Sequence, residues 1–192
     1  MNPIRALGAR LKARADSEHE HAMARIVIAA AVLGVMLWRH SIVSQLLMLL
    51  AAYLVLALAI FACICVWPAP NVVRRVIAML ADVGTVTVVM FLTTEIGFLM
   101  IGVYLFITFG YGFRYGIRYL YACGLLCVAG FTTVLNYAPY WQPHLTAGIC
   151  FMVALVILPS YVAHQLRAIQ LKKARAQQAL REYLDREKAR AS

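Results

Sequence analysis

Apolar positions dominate the chain in six long blocks, near residues 22–38, 42–66, 76–94, 96–113, 119–137 and 145–163, broken only by short polar or proline-bearing stretches. Each block approaches the roughly 17–25 residues that a helix needs to cross a bilayer. The first is the weakest, because its uninterrupted apolar part runs only from Ile26 to Trp38. The breaks are Arg39 to Ser41, Trp67 to Asn71, a tight turn at Glu95, Gly112 to Arg118, and Pro139 to His144. Connections this short make neighbouring blocks antiparallel hairpins. The pattern predicts an all-α, polytopic transmembrane helix bundle of about six spans.

Two further helices are expected outside the apolar blocks. Ile4, Leu7 and Leu11 recur at helical spacing among Arg5, Arg10, Lys12 and Arg14, which predicts a basic surface helix over 1–15. From Tyr161 to about Arg190 the chain has no Gly or Pro. Leu166, Ile169, Lys173, Ala176, Leu180, Tyr183, Glu187 and Arg190 form a weak heptad seam there, a coiled-coil-like helix over 164–192. Such a tail serves either as a signalling stalk that pairs with a second copy or as a basic segment lying on anionic lipid. The organisation expected is thus a surface helix (1–15), a transmembrane domain (16–163) and a cytoplasmic helix (164–192).

Composition strengthens the membrane reading: 64% of the 192 residues are hydrophobic and 14% charged, with a mean hydropathy of +0.78. An ordinary soluble domain is roughly 45–50% apolar and about 25% charged. The formal charge of +10 does not imply nucleic acid, because the basic residues gather at the chain ends and in two short loops. With the N-terminus inside, 17 of the 18 Lys and Arg lie on the inner side and only Arg39 outside. That is the positive-inside bias, and it places both termini in the cytoplasm and the chain in a bacterial inner membrane. No secretory signal is expected, since the first apolar run lies behind a mixed-charge segment and leads directly into another. Trp38, Trp67, Tyr140 and Trp141 fall at span ends, where amphipathic rings anchor.

Candidate chemistry is sparse. Cys63, Cys65, Cys123, Cys127 and Cys150 all sit in apolar runs without metal-ligand spacing, and are expected as small buried apolar residues. His19 and His21 point apart on a helix, so no metal or other cofactor is expected. Asp82 stands alone in the third block, where a carboxylate is costly and must face the bundle interior. Arg74, Arg75, Arg114 and Arg118 are its nearest candidate partners, and a structural tie or a proton or ligand switch are its two roles. Ser17 and Glu20 form a Ser-x-x-Glu capping box for the first span, with the carboxylates at its positive dipole end. The run Tyr111 to Tyr119 interleaves Arg114 and Arg118 with aromatics and glycines. It suits an inner-leaflet anchor, or a site where Arg114 and Tyr115 hold an anionic lipid or fatty-acid head group. At the outer face, the proline-bearing loop at Pro139 to His144, together with Arg39 and His40, makes the candidate ligand entrance.

The chain resembles the membrane input domain of the Rpf-type hybrid sensor histidine kinases that perceive diffusible signal factor, a medium-chain unsaturated fatty acid of bacterial quorum sensing. The residues that carry the likeness are Arg14-Ala15-Asp16-Ser17-Glu18-His19-Glu20, Arg74-Arg75 with Met79-Leu80 and Asp82, Arg114-Tyr115-Gly116 with Tyr119-Leu120, Pro139-Tyr140-Trp141, and Leu166-Arg167-Ala168. The resemblance implies fatty-acid perception at Asp16, Ser17 and Glu18, acting by contact or by gating the first helix. It also implies five helices behind an extracytoplasmic stretch, against the six with both ends inside that the charges favour. These residues contain no phospho-acceptor histidine box and no ATP-binding domain, so the chain itself is not expected to be an enzyme. The end from Glu187 to Ser192 resembles the lead-in to such a box. A parent histidine kinase is therefore expected, with a natural stand-alone sensor as the alternative.

The expected partners are a fatty-acid-like small molecule, the lipid bilayer, a kinase module in cis or trans, and a second copy of the chain. Two other classes fit less well. A small transporter or lipid-modifying enzyme needs paired intramembrane carboxylates or a nucleophile with a base, and a non-catalytic scaffold would tolerate Asp82→Asn and Arg114→Ala.

Overall fold

A computed structural model describes residues 18–38, 44–67, 69, 71–93 and 97–191. In chain order the helices are α1 (Glu18–Trp38), α2 (Ser44–Val66), α3 (Val72–Leu92), α4 (Gly97–Tyr115), α5 (Ile117–Tyr137) and α6 (Leu145–Ala191), with a 3-10 segment at Pro139–His144. No strand occurs among the described residues, and the fold is an all-α bundle. The expected surface helix over 1–15 lies outside them, as do Asp16, Ser17, Arg39 and His40.

Five segments are long and apolar enough to cross a membrane: Ser44–Val66, Val72–Leu92, Phe98–Tyr115, Ile117–Tyr137 and the apolar part of Pro139–Tyr183. α1 is the exception, since its apolar stretch covers only Ala22–Gly34 and contains Arg25. Large apolar side chains such as Val55, Leu99, Leu125 and Val153 point outward, as expected where the surrounding solvent is lipid. Hydroxyls inside the helices are satisfied locally: Thr132 and Ser160 donate to the carbonyls of Val128 and Val156, four residues back, at 2.7 Å each.

The bundle has a four-helix core and a peripheral hairpin. Met79, Val83 and Met90 of α3, Ile101 and Tyr104 of α4, Cys123, Cys127 and Phe131 of α5, and Leu155 of α6 form one continuous core. Against it lies the α1–α2 hairpin, whose own interface buries small residues such as Ala22, Ala29 and Ala57. Without a hydrophobic drive between helices in lipid, small side chains that let backbones approach supply the packing. The hairpin meets α3 through two small clusters, Ala22, Ile60 and Ile64 with Ala78, and Leu46 and Leu50 with Val89.

Three sequence expectations are corrected. The break anticipated over Gly112 to Arg118 is a single residue: α4 runs to Tyr115, Gly116 takes φ +93°, and α5 begins at Ile117. Only Gly populates that region freely. Trp141 is no interfacial anchor, being fully buried with Phe98, Phe131 and Phe151 around it, where it plugs the end of the core. Trp67, by contrast, is exposed. Among the five free cysteines only Cys123 and Cys127 are buried, and Cys63 and Cys150 are exposed on the bundle surface.

α6 continues unbroken through Pro159 for 47 residues. Arg167 lies over the Tyr121 ring near the start of α5, at 5.9 Å, so α6 leaves the bundle at the end where α4 and α5 join. The beginning of α1 lies at that same end, because Glu18 pairs with Arg74 and Arg75 at the start of α3 and Arg75 covers Tyr115.

Candidate functional site: a buried charge network beside an apolar cavity

Arg25 of α1 would be costly in lipid by itself. Its guanidinium grips Asp82 of α3 with two bonds, Nε to Oδ1 at 2.6 Å and Nη2 to Oδ2 at 2.7 Å. Both residues are buried, Arg25 at 7% exposure and Asp82 at 4%. Tyr53 of α2 donates to Asp82 Oδ1 at 2.6 Å, and Tyr111 of α4 donates to Oδ2 at 3.1 Å while accepting from Arg25 Nη2 at 3.1 Å. The carboxylate thus receives four donors, about the full complement its two oxygens accept. Four helices meet at this one group.

Asp82 therefore faces the bundle interior, as anticipated, but its partner is Arg25 rather than Arg74, Arg75, Arg114 or Arg118. Arg74 and Arg75 serve a second ion-paired group about two helical turns nearer the end of the bundle, where both bind the Glu18 carboxylate. Arg74 also donates to the carbonyls of Trp67 and Ala69, at 3.0 and 3.1 Å, and so braces the α2–α3 turn. The Arg75 guanidinium lies 4.6 Å from the Tyr115 ring centre, and Tyr111, Tyr115 and Tyr119 follow one another at 5.6 and 5.4 Å. Such a guanidinium–ring contact adds attraction beyond the ion pair. Glu18, Asp82 and Tyr115, three of the residues singled out in the sequence, thus belong to one polar ladder. Asp16 and Ser17 lie outside the described residues.

A cavity of about 520 Å³ opens between the α1–α2 hairpin and the α3–α4 face. Its walls are apolar, among them Ile28, Val32, Leu50, Val86, Val103 and Phe106, and its charged lining residues are Arg25, Asp82 and Arg114. Arg114 is exposed and sits in the last turn of α4, where a cation also suits the helix dipole. The cavity reaches Met100 on the same helix. At 1.5 Å rise per residue, the two positions are about 21 Å apart along α4. The volume falls within the ~300–1,000 Å³ of small-molecule sites. No group of three or more His, Cys, Asp and Glu suited to a metal ion occurs among the described residues.

Fold and site together define a multi-pass, all-α membrane protein in which the buried charges Arg25 and Asp82 are paired in the interior. Over 178 residues, covering 88% of this chain, it is 32% identical to the sensory/regulatory protein RpfC of Xanthomonas campestris pv. campestris, with the same identity in two strains of that organism. That similarity is consistent with a membrane domain of the Rpf-type sensor proteins. It spans about a quarter (24%) of the length of the relatives it matches. No family model and no solved structure matches it.

Proposed function

We propose that this bundle is the signal-sensing domain of a two-component histidine kinase, taking a fatty-acid-like ligand in the cavity beside Arg25 and Asp82. The cavity carries the proposal: it is long, apolar along most of its length, and cationic at Arg114, the shape and polarity of one acyl chain with an anionic head. The chain enters sideways from the bilayer between helices, and its head group meets Arg114 at the interface. Binding alters how the α1–α2 hairpin packs on α3, and α6, a single rigid helix, conveys that change to a kinase module in cis or trans. Exposed Ile169, Leu180 and Tyr183 along α6 fit the seam of a homodimer.

Radiolabelled dodecanoate should bind saturably to the protein in lipid discs. Arg114→Gln should weaken that binding about tenfold, the loss expected for one hydrogen bond to a charged group. If binding is not saturable, the proposal fails.

The cytoplasmic placement of both termini rests on the basic residues clustered at one end of the bundle. A reporter enzyme active only outside the cytoplasm should be silent when fused after Ser17 and active when fused at Pro139. The opposite pattern would invert the topology.

A further inference from the structure

Arg25 is more than a structural partner of Asp82. Its bonds to Asp82 and Tyr111 run through Nε and Nη2, which leaves the Nη1 edge outside the Asp82 fork. Arg25 lines the cavity, so a buried guanidinium borders a chamber that is mostly walled by hydrocarbon, with Asp82, Arg114, Tyr53 and Thr85 as its other polar lining residues. The charged lining residues, Arg25, Asp82 and Arg114, carry one positive charge in excess. A single anion balances them, and a carboxylate matches the fork of a guanidinium bidentately.

Asp82 already occupies that fork. It is held there from the other side by Tyr53 and Tyr111, two donors that stay with its carboxylate when Arg25 turns away. The pair is therefore built so that Asp82 keeps partners after losing Arg25, and Arg25 can be satisfied by an incoming carboxylate. Other ties between α1 and α3 include the Ala22–Ala78 packing and the Glu18 bonds to Arg74 and Arg75.

We propose that Arg25 is the head-group receptor of the cavity, and that a medium-chain fatty acid binds by exchanging its carboxylate for that of Asp82, loosening α1 from α3. This inference rests on the cavity being the ligand site, as proposed above. Arg114 draws the anion in at the interface, and Arg25 takes it in the interior. The bound acyl chain then lies toward Leu46 and Met100.

The test uses the 192-residue chain in phosphatidylcholine discs with radiolabelled dodecanoate. Removing the internal competitor with Asp82→Asn should tighten binding about tenfold or more, and Arg25→Gln should weaken it by a similar factor. Equal affinities for the parent and Asp82→Asn overturn the exchange while leaving the cavity as the ligand site. No saturable binding to the parent removes the cavity reading and the exchange with it.

A second measurement needs neither variant. With the five native cysteines replaced by alanine, Ala22→Cys and Ala78→Cys should be joined by a short thiol cross-linker. Saturating dodecanoate should slow that reaction severalfold, and dodecan-1-ol, which has the chain without the charge, should not. A rate indifferent to dodecanoate overturns the proposal. So does slowing by phosphatidylglycerol alone with no further effect of dodecanoate, which would make a lipid head group the occupant.

Discussion

Asp82→Leu is expected to lower the stability of the bundle by about 3–5 kcal/mol, the cost of stranding one partner of a buried ion pair. Arg25→Leu should cost less, because the carboxyl group it strands has a neutral form and a guanidinium has none at any accessible pH. Asp82→Leu also leaves the Tyr53 and Tyr111 hydroxyls without their acceptor. The double variant Arg25→Met/Asp82→Leu should recover most of the loss, since apolar residues of similar volume often replace a buried pair with little penalty. Unfolding midpoints in detergent micelles measure all three. A double variant no more stable than Asp82→Leu would show that the network contributes by more than charge pairing.

Gly116→Ala is the second large effect. At φ +93° and ψ 179° the residue occupies a region essentially confined to glycine, and a side chain there costs about 1–3 kcal/mol. A Cβ on Gly112, one turn earlier, would run into Leu120, including its Cβ at 2.8 Å. This close approach of α4 and α5 cannot relax by swinging a flexible tip. Gly112→Ala should therefore destabilise by a similar ~1–3 kcal/mol, the usual cost of overpacking. Gly102 is the control: a Cβ there meets nothing within 4 Å. Gly102→Ala should be neutral or stabilising by about 0.5–1 kcal/mol through helix propensity. The same unfolding measurement ranks the three.

The helices were legible because hydropathy over 17–25 positions is a local property, and α2 to α5 fall within a few residues of the apolar blocks. The pairing of charges was not, because it depends on how helices are arranged. Asp82 drew attention as an isolated carboxylate, but the arginines closest in sequence, Arg74 and Arg75, were taken by Glu18, and its true partner stands 57 positions away. Arg25 counted toward the basic N-terminal group in the charge tally. A sharper signal was present: one lone cation in the first apolar block and one lone anion in the third, each costly without the other. Tyr53 carried no signal of its own, and Tyr111 stood out only as the edge of the Tyr111–Tyr119 run; the fold alone brings both to Asp82. Trp141 misled for the converse reason, as an aromatic at a span end reads as an anchor until the loop folds it into the core. The Gly112–Arg118 break looked like a loop because two glycines and two arginines in seven residues resemble one. In fact Gly112 serves helix contact and Gly116 alone makes the turn.

The dependence of α1 on Asp82 also orders the birth of the protein. When α1 emerges from the ribosome, the carboxylate that neutralises Arg25 has yet to be made, and an unpaired arginine in an apolar helix is costly during insertion, by up to about 2.5–3.5 kcal/mol at a helix centre. The first helix therefore cannot settle fully into the bilayer until α3 has followed it. Its final position is reached late, as a guest of a helix synthesised after it.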